Sequence, residues 1–188
     1  MKLSAGQSFP ATATGLDVTE SVHDLASKTF ILTGATGTLG RACAKILRAR
    51  GCKLIFASRD VEKASAFVGE MEKEDFEGED EGEDEDEDEE EKDEEKEADK
   101  EKPKKKKKKI TMKEVTILKC DLSSVHSVKS FCREFQKLAL PLHGILCLAG
   151  VVVQPFALTK PDGVETHFAI NHLSHYAMVS FLSDELTR

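Results

Sequence analysis

A glycine-rich turn directly after a short apolar strand is the feature that most constrains the fold. Thr29–Leu32 has the composition of a buried strand, and the segment 33–40, TGATGTLG, follows it at once. A helical pattern then runs to about Arg50, and Gly51 ends it as a residue that tolerates positive φ. The apolar positions of this helix are Leu39, Cys43, Ile46 and Leu47. Glycines between a strand and a helix let another group approach the backbone closely, so the pattern predicts a βα unit.

Three further strand candidates alternate with helical segments along the chain. The strands are predicted at Lys53–Ala57, Val115–Cys120 and Gly144–Ala149. The helical patterns lie at about 61–71, 124–138 and 166–186. Short, continuous apolar strands that alternate with helices are typical of a parallel sheet covered on both faces. We therefore predict a doubly wound parallel α/β sheet of about four strands.

A charged segment interrupts this pattern between the second helix and the third strand. Residues 72–109 contain 22 acidic residues and 11 lysines, a net charge of −11, whereas the other 150 residues carry 13 acidic and 16 basic side chains. The segment has almost no apolar side chains to bury, so we expect a disordered insert. It divides the fold into a first part at 1–71 and a second part at 110–188.

The insert has two interpretations. It is a solvated loop without a partner, or its lysines at 104–109 form a nuclear-import or anionic-surface patch. In the second case the acidic half holds a basic partner or masks the lysines. We expect a cytoplasmic protein, with nuclear entry as the alternative, and no nucleic acid partner.

Other features of the sequence bear on its compartment. No apolar run approaches ~18 residues, so no membrane span is expected, and residues 1–14 lack the pattern of a secretory signal. The five cysteines form no C-x-x-C pair, which fits a reducing compartment. We expect all five to be small buried or half-buried residues.

The spacing within the turn favours a dinucleotide site. Gly34 and Gly37 leave room for a phosphate at the backbone, and Gly40 lets the helix pack closely on the sheet. The free N–H groups and the dipole at the start of the helix attract the pyrophosphate. A glycine turn with a purely structural role is the alternative.

Eight segments outside the insert carry patterns of one known family. They are Gly15–Glu20, Asp24–Thr29, 33–40, Ala57–Asp60, Cys120–Leu122, Pro141–Leu146, 158–166 and Asn171–Tyr176. Together they resemble the short-chain dehydrogenase/reductase family, in particular the branch that contains retinol dehydrogenases and the WW-domain-containing oxidoreductase. The resemblance implies a Rossmann-type sheet, of which this chain supplies the N-terminal portion in the strand order 3-2-1-4. It also implies a nicotinamide dinucleotide cofactor.

The resemblance places the cofactor contacts in the turn and after each strand. The implied residues are Thr33, Gly34, Thr36, Gly37, Thr38, Leu39, Gly40, Ser58, Arg59, Asp121, Leu122, Ala149 and Gly150. Among these, Asp121 matches the family aspartate that contacts the adenine ring. Asn171 matches the asparagine that holds a proton-relay water, which makes it a catalytic helper.

The end of the second strand indicates which dinucleotide is bound. Members that use NAD place a carboxylate there for the ribose 2′-hydroxyl, but this chain has Ser58, followed by Arg59. A guanidinium pairs with a 2′-phosphate, so we expect NADP rather than NAD. Asp60 is the opposing signal, and we expect its side chain to point away from the site.

Three departures from the family pattern stand out. Thr38 occupies the position of the middle glycine, and Leu148 replaces an asparagine of the N-N-A-G motif whose hydrogen bonds it cannot make. The printed chain ends at Arg188, before the segment that carries the family's serine and Tyr-x-x-x-Lys pair. Its single tyrosine, Tyr176, is followed four residues later by Ser180, and we expect it to be a packing residue.

The sequence thus predicts the NADP-binding part of an oxidoreductase, which is not expected to be catalytic by itself. In the complete family enzyme a hydride moves between the nicotinamide and a small carbonyl or alcohol substrate. The alternative is a non-catalytic protein that uses the fold and the insert to engage a nuclear or basic partner. No metal is expected, because His167, His172 and His175 converge only loosely. We expect Gly144–Ala149 to form a sheet edge that a protein partner or a second copy covers.

Overall fold

The computed structural model describes residues 12–20, 22, 24–77, 115–152 and 155–187. Within these ranges four parallel strands form one sheet in the order β3-β2-β1-β4. The strands are β1 (Thr29–Thr33), β2 (Lys53–Ser58), β3 (Val115–Lys119) and β4 (Gly144–Cys147). The strand order and directions confirm the predicted Rossmann-type sheet. Among the described strands, β4 lies at an outer edge, as predicted.

Helices connect the strands and follow the last of them. They are α1 (Gly15–Glu20), a 3-10 turn (Leu25–Ser27), α2 (Thr38–Ala49), α3 (Val61–Glu77), α4 (Val125–Lys137), a π-helical turn (Phe168–Leu173), α5 (Ser174–Phe181) and α6 (Ser183–Leu186). The helix predicted over 166–186 is confirmed as a helical region, which the structure divides into the π-helical turn, α5 and α6. In the described part of the chain, no helix combines the length and the apolar character needed to cross a membrane.

Each face of the sheet is covered by its own apolar layer. Ile31 and Ile55 pack on one face against α4 and α5. Leu32, Leu54 and Phe56 pack on the other face against α2 and α3. Successive side chains of a strand point to opposite faces, so a strand buried on both faces must be apolar throughout. This explains the continuous apolar runs in the sequence.

Helix α3 extends beyond its predicted end at Met71 and continues to Glu77. Residues 72–77 therefore belong to this helix rather than to the predicted insert. Glutamate and lysine favour helical backbone, so a charged composition does not itself end a helix. The rest of the insert, 78–109, lies outside the described residues, and both interpretations of it stay predictions.

Leu39, one of the four apolar positions predicted for α2, does not lie on the inward face of the helix. The buried positions of α2 are Gly40, Ala44 and Arg48, whereas Leu39 is 62% exposed. Gly40 faces the glycine-rich turn, where only a residue without a side chain fits. The inward position of Gly40 sets the rotation of α2 about its axis, so Leu39 points to solvent beside the glycine-rich turn.

Cysteine burial follows the position of each residue in the layers. Cys147 is exposed, so the expectation that all five cysteines are at least half-buried is wrong for this residue at the end of an outer strand. Cys120 and Cys132 are buried, and burial raises the pKa of each thiol to about 12. Both thiols therefore stay protonated and unreactive at neutral pH.

Candidate functional site

The carboxyl ends of the four strands meet along one edge of the sheet. Thr33 pairs in register with Ala57 and with Cys147, and Ser58 pairs with Lys119. Each predicted group of contact residues lies at or directly after one of these ends. Ligands of open α/β sheets bind outside the carboxyl ends of the strands, so the candidate residues lie where such a site forms.

The glycine-rich turn is packed too tightly for side chains at two positions. Gly34 has φ +66°, and a Cβ atom there would lie 2.7 Å from the backbone N of Ala149. A Cβ atom on Gly40 would collide with the carbonyl oxygen of Gly34 and lie 2.8 Å from Cα of Ala35. Gly34 therefore lets the turn contact the segment after β4, and Gly40 lets α2 pack against the turn.

The N-terminus of α2 opens onto this turn. Gly37 precedes the helix in extended conformation and donates its N–H to the Gly34 carbonyl at 3.0 Å. Within the described ranges no side chain caps this N-terminus, so its first N–H groups can receive an anion. Thr36 is half-buried, and Thr38 and Leu39 are exposed. Thr38 thus takes the place of the family glycine without blocking the turn.

Two charged side chains that follow β2, those of Arg59 and Asp60, have different surroundings, which bears on the choice between NADP and NAD. The Asp60 carboxylate accepts the N–H of Lys63 at 2.9 Å and so caps the start of α3. The Ser58 hydroxyl donates to the carbonyl of Asp60 at 2.8 Å. Arg59 is exposed between them. The Asp60 carboxylate is thus bound to the N-terminus of α3, whereas the Arg59 guanidinium is accessible to a ligand.

The segment after β3 offers a carboxylate and a buried leucine. Asp121 is half-buried, and its Oδ1 accepts hydrogen bonds from the backbone N–H and the hydroxyl of Ser123. The Leu122 side chain is 8% exposed and belongs to the apolar core, while its carbonyl accepts the Ser174 hydroxyl at 2.6 Å. Any cofactor contact of Leu122 would have to come from its backbone.

Asn171 lies in the π-helical turn and holds the segment after β4. Its Oδ1 accepts the N–H of Val151 at 2.8 Å, and its Nδ2 donates to the carbonyl of Val151 at 3.0 Å. Gly150, just before Val151, is exposed beside this amide. The Asn171 side chain is therefore occupied with the backbone, and its role in a proton relay stays a proposal.

Thr33 and His175 make a contact that the sequence analysis missed. Thr33 is fully buried, and its hydroxyl lies 2.9 Å from Nε2 of His175. The same oxygen accepts the backbone N–H groups of Leu148 and Ala149. These partners lie more than a hundred residues from Thr33 in the chain, so no local pattern could reveal the contact.

The three histidines predicted not to form a metal site each have a different partner. His167 pairs with Glu165, His175 bonds to Thr33, and the ring of His172 stacks on the ring of Tyr176. Tyr176 is 65% exposed, so its prediction as a packing residue is wrong. Over the described ranges, no three histidine, cysteine or acidic side chains are grouped so that they could hold a metal ion.

Glu165 stabilises the start of the helical region that carries Asn171. Its carboxylate accepts the backbone N–H groups of Phe168 and His167 and contacts Nδ1 of His167 at 2.6 Å. These hydrogen bonds, with that of Phe168 the largest cause, lower the pKa of Glu165 from 4.5 to about 2. A carboxylate whose pKa is lower in the folded state stabilises the fold above its ordinary pKa. That contribution is lost as the pH falls from there towards the folded-state value.

The variant Glu165→Gln should therefore have a lower Tm than the unchanged chain at neutral pH. The difference in Tm should narrow as the pH falls below about 4.5, because the unfolded form of the unchanged chain then takes up a proton at Glu165 that the folded form, with its lowered pKa, does not. Thermal melts followed by circular dichroism from about pH 7 to about pH 3.5 measure this. Glu134→Gln, on the exposed side of α4, is the control. A difference in Tm that is the same at every pH would contradict the role of the charge.

Comparisons with known proteins agree with this architecture. The model of the KR domain matches residues 28–169. The chain is 31% identical over 183 residues to the short-chain dehydrogenase TIC 32 A, chloroplastic, of Brassica napus, which covers 97% of this chain and 46% of that protein. It is 27% identical over 187 residues to the human WW domain-containing oxidoreductase, which covers 100% of this chain and 36% of that protein. The chain thus spans less than half the length of these two relatives.

A solved structure shows the same fold. A metagenomic short-chain oxidoreductase in complex with NADP superposes with a TM-score of 0.57 at 18% identity, over 85% of this chain and 57% of that one. The KR-domain match spans both sides of the charged insert and includes the glycine-rich turn. The chain belongs to the KR-domain family of short-chain dehydrogenases and reductases.

Proposed function

We propose that this chain binds NADP at the carboxyl edge of its sheet, as the cofactor-binding part of an oxidoreductase. The observation that carries the proposal is the turn between β1 and α2, where tightly packed glycines expose a helix N-terminus at the sheet edge. The other three strands of the parallel sheet end at the same edge. This geometry suits a ligand that has both a pyrophosphate and a nucleoside.

The residues present fit such a ligand on chemical grounds. The N-terminus of α2 would receive the pyrophosphate, and Asp121, which follows β3, would face the adenine end. Leu39 offers exposed apolar surface beside the turn. When bound, the nicotinamide supplies or accepts a hydride. The proposed reaction of the whole protein is hydride transfer between this ring and a carbonyl or alcohol carbon.

The charges at the end of β2 favour NADP over NAD. Arg59 is exposed, and Ser58 stands where members that use NAD carry an acid. The Asp60 carboxylate, which would repel a 2′-phosphate, is held by the N–H of Lys63 instead. An accessible guanidinium beside a small hydroxyl residue is a suitable partner for a phosphate.

The variant Arg59→Asp should weaken NADPH binding far more than NADH binding. A charge-assisted hydrogen bond contributes about 1.5–3 kcal/mol, which corresponds to roughly a ten- to hundredfold increase in the Kd for NADPH. Fluorescence titration or calorimetry on the 188-residue chain measures both dissociation constants. Arg133→Asp, on the exposed face of α4, makes the same change in charge away from the strand ends and should leave their ratio unchanged.

Two results would contradict the proposal in different ways. An equal loss for NADPH and NADH in Arg59→Asp would mean that Arg59 does not contact the 2′-phosphate. The absence of saturable binding of either dinucleotide by the folded, unchanged chain would contradict the cofactor site itself. The interaction-protein alternative and nuclear entry depend on residues 78–109, outside the described ranges, and stay predictions.

A further inference from the structure

The hydroxyl of Thr33 lies at the centre of a buried group of hydrogen bonds. It accepts the backbone N–H of Leu148 at 3.0 Å and the N–H of Ala149 at 3.1 Å. A hydroxyl oxygen has two lone pairs and one hydrogen, so these two bonds use its capacity to accept. Its own hydrogen must therefore go to an acceptor. The two candidates are Nε2 of His175 at 2.9 Å and the carbonyl of Leu146 at 3.4 Å.

The surroundings of His175 identify which of its nitrogens carries the proton. The ring is 7% exposed, and its Nδ1 lies 3.2 Å from the carbonyl oxygen of Asn171. A carbonyl can only accept, so Nδ1 carries the hydrogen and Nε2 is left as an acceptor. Nε2 is also the nearer acceptor for the hydroxyl hydrogen of Thr33. All donors and acceptors of this group are then satisfied in one arrangement.

The hydrogen bonds of Thr33 hold together two segments that line the proposed site. One segment is the turn that begins at Gly34, and the other is Leu148–Ala149. The two segments are in contact, since a Cβ atom on Gly34 would lie within 2.9 Å of three backbone atoms of Leu148–Ala149. Leu148 lacks the polar side chain of the family asparagine. Its backbone N–H donates to the hydroxyl of Thr33, which β1 places at the start of the turn, and also to the carbonyl of Leu146 at 3.1 Å.

We propose that His175 is a positioning residue for the cofactor site. By accepting the hydroxyl hydrogen of Thr33, it directs the lone pairs of that oxygen at Leu148 and Ala149 and so holds the segment after β4 against the turn. His175 does not touch the cofactor, and it acts through Thr33 from the start of α5. This inference rests on the proposed dinucleotide site for its effect on affinity.

The first test reads the tautomer of His175 in the unchanged chain. Nitrogen-15 NMR of labelled histidine distinguishes a protonated Nδ1 from a protonated Nε2 and needs no cofactor. We expect the proton on Nδ1 and an Nε2 that accepts a hydrogen bond. In Thr33→Val, which keeps the side-chain shape but has no hydroxyl, the Nε2 signal and the amide signals of Leu148 and Ala149 should shift. In Thr33→Ser they should remain close to those of the unchanged chain.

The second test measures NADPH affinity by calorimetry on the same chain. His175→Ala and Thr33→Val should each raise the Kd by about tenfold, the effect of losing one buried hydrogen bond. The double variant should lose little more than either single variant, because both remove the same contact. Thr33→Ser should restore most of the affinity. His172→Ala, which changes an exposed neighbouring histidine, is the control and should bind like the unchanged chain.

Three results would overturn the inference. They are a proton on Nε2, an unchanged Kd in folded His175→Ala, and losses in the two single variants that add in full. If the unchanged chain binds neither NADPH nor NADH, the proposed function fails. The NMR measurements then decide separately whether His175 holds the segment after β4.

Discussion

Replacing Gly40 by alanine is expected to destabilise the fold strongly. The new methyl group would collide with the carbonyl oxygen of Gly34 and lie 2.8 Å from Cα of Ala35 and from the carbonyl carbon of Gly34. All of these are backbone atoms, so α2 or the turn has to move as a unit. Overpacking against backbone falls at the upper end of the usual range, about 3 kcal/mol, which lowers Tm by about 6–12 °C in a chain of this size.

Gly69→Ala is the matched control for this prediction. Gly69 lies inside α3, and a Cβ atom there would meet nothing within 4 Å. Alanine favours helix over glycine by up to about 1 kcal/mol, so this variant should be as stable as the unchanged chain or slightly more stable. Thermal melts of both variants and the unchanged chain measure the effects. Equal Tm values for Gly40→Ala and Gly69→Ala would contradict the close approach of α2 to the turn.

The strands could be predicted from the sequence because their burial on both faces is a local property. Each predicted strand begins at the observed first residue, and the ends differ by no more than two residues. Runs such as Ile31–Leu32 and Leu54–Phe56 are apolar at every position because helices cover both faces. The glycine-rich turn fixed the junction of β1 and α2, since Gly34 and Gly40 occupy positions that exclude a side chain.

Helix orientation was less predictable, because it depends on contacts between distant segments. Helical spacing placed Leu39 on the inward face of α2, but the space available only to Gly40 sets the rotation of the helix and leaves Leu39 exposed. Tyr176 was expected to pack, yet its ring lies on the surface against His172. The π-helical turn around Asn171 widens the helix there, and a pattern based on 3.6 residues per turn does not reveal it.

In the candidate site, too, features set by local sequence could be predicted, whereas contacts between distant segments could not. The sequence identified the loops after each strand, because parallel strands bring their carboxyl ends to one edge. It did not identify His175 as a partner of Thr33, nor Val151 as the partner of the Asn171 amide. These contacts join segments that are brought together only when β4 pairs with β1 and α5 packs on the sheet.

Truncating Phe67 to alanine is expected to have the largest effect of any single substitution considered. Its side chain in α3 is fully buried and stacks on the ring of Phe56 in β2, with ring centroids 6.0 Å apart. The guanidinium of Arg41 covers the same ring, with its Cζ 4.4 Å from the centroid. Removing a buried phenylalanine side chain costs about 3–5 kcal/mol, which lowers Tm by about 6–20 °C in a chain of this size.

We expect Phe67→Ala to affect the proposed cofactor site as well, because Arg41 connects α3 to the glycine-rich turn. Its Nε donates to the carbonyl of Thr36, while its guanidinium pairs with Glu70 and covers Phe67. In Phe67→Ala the guanidinium loses its supporting ring, so we expect weaker NADPH binding at temperatures where the variant is still folded. Phe156→Ala is the control, since Phe156 is 74% exposed and its removal should change neither Tm nor affinity appreciably. Similar Tm values for the two variants would mean that α3 does not pack on the sheet as described, and unchanged affinity in Phe67→Ala would mean that Arg41 does not support the turn.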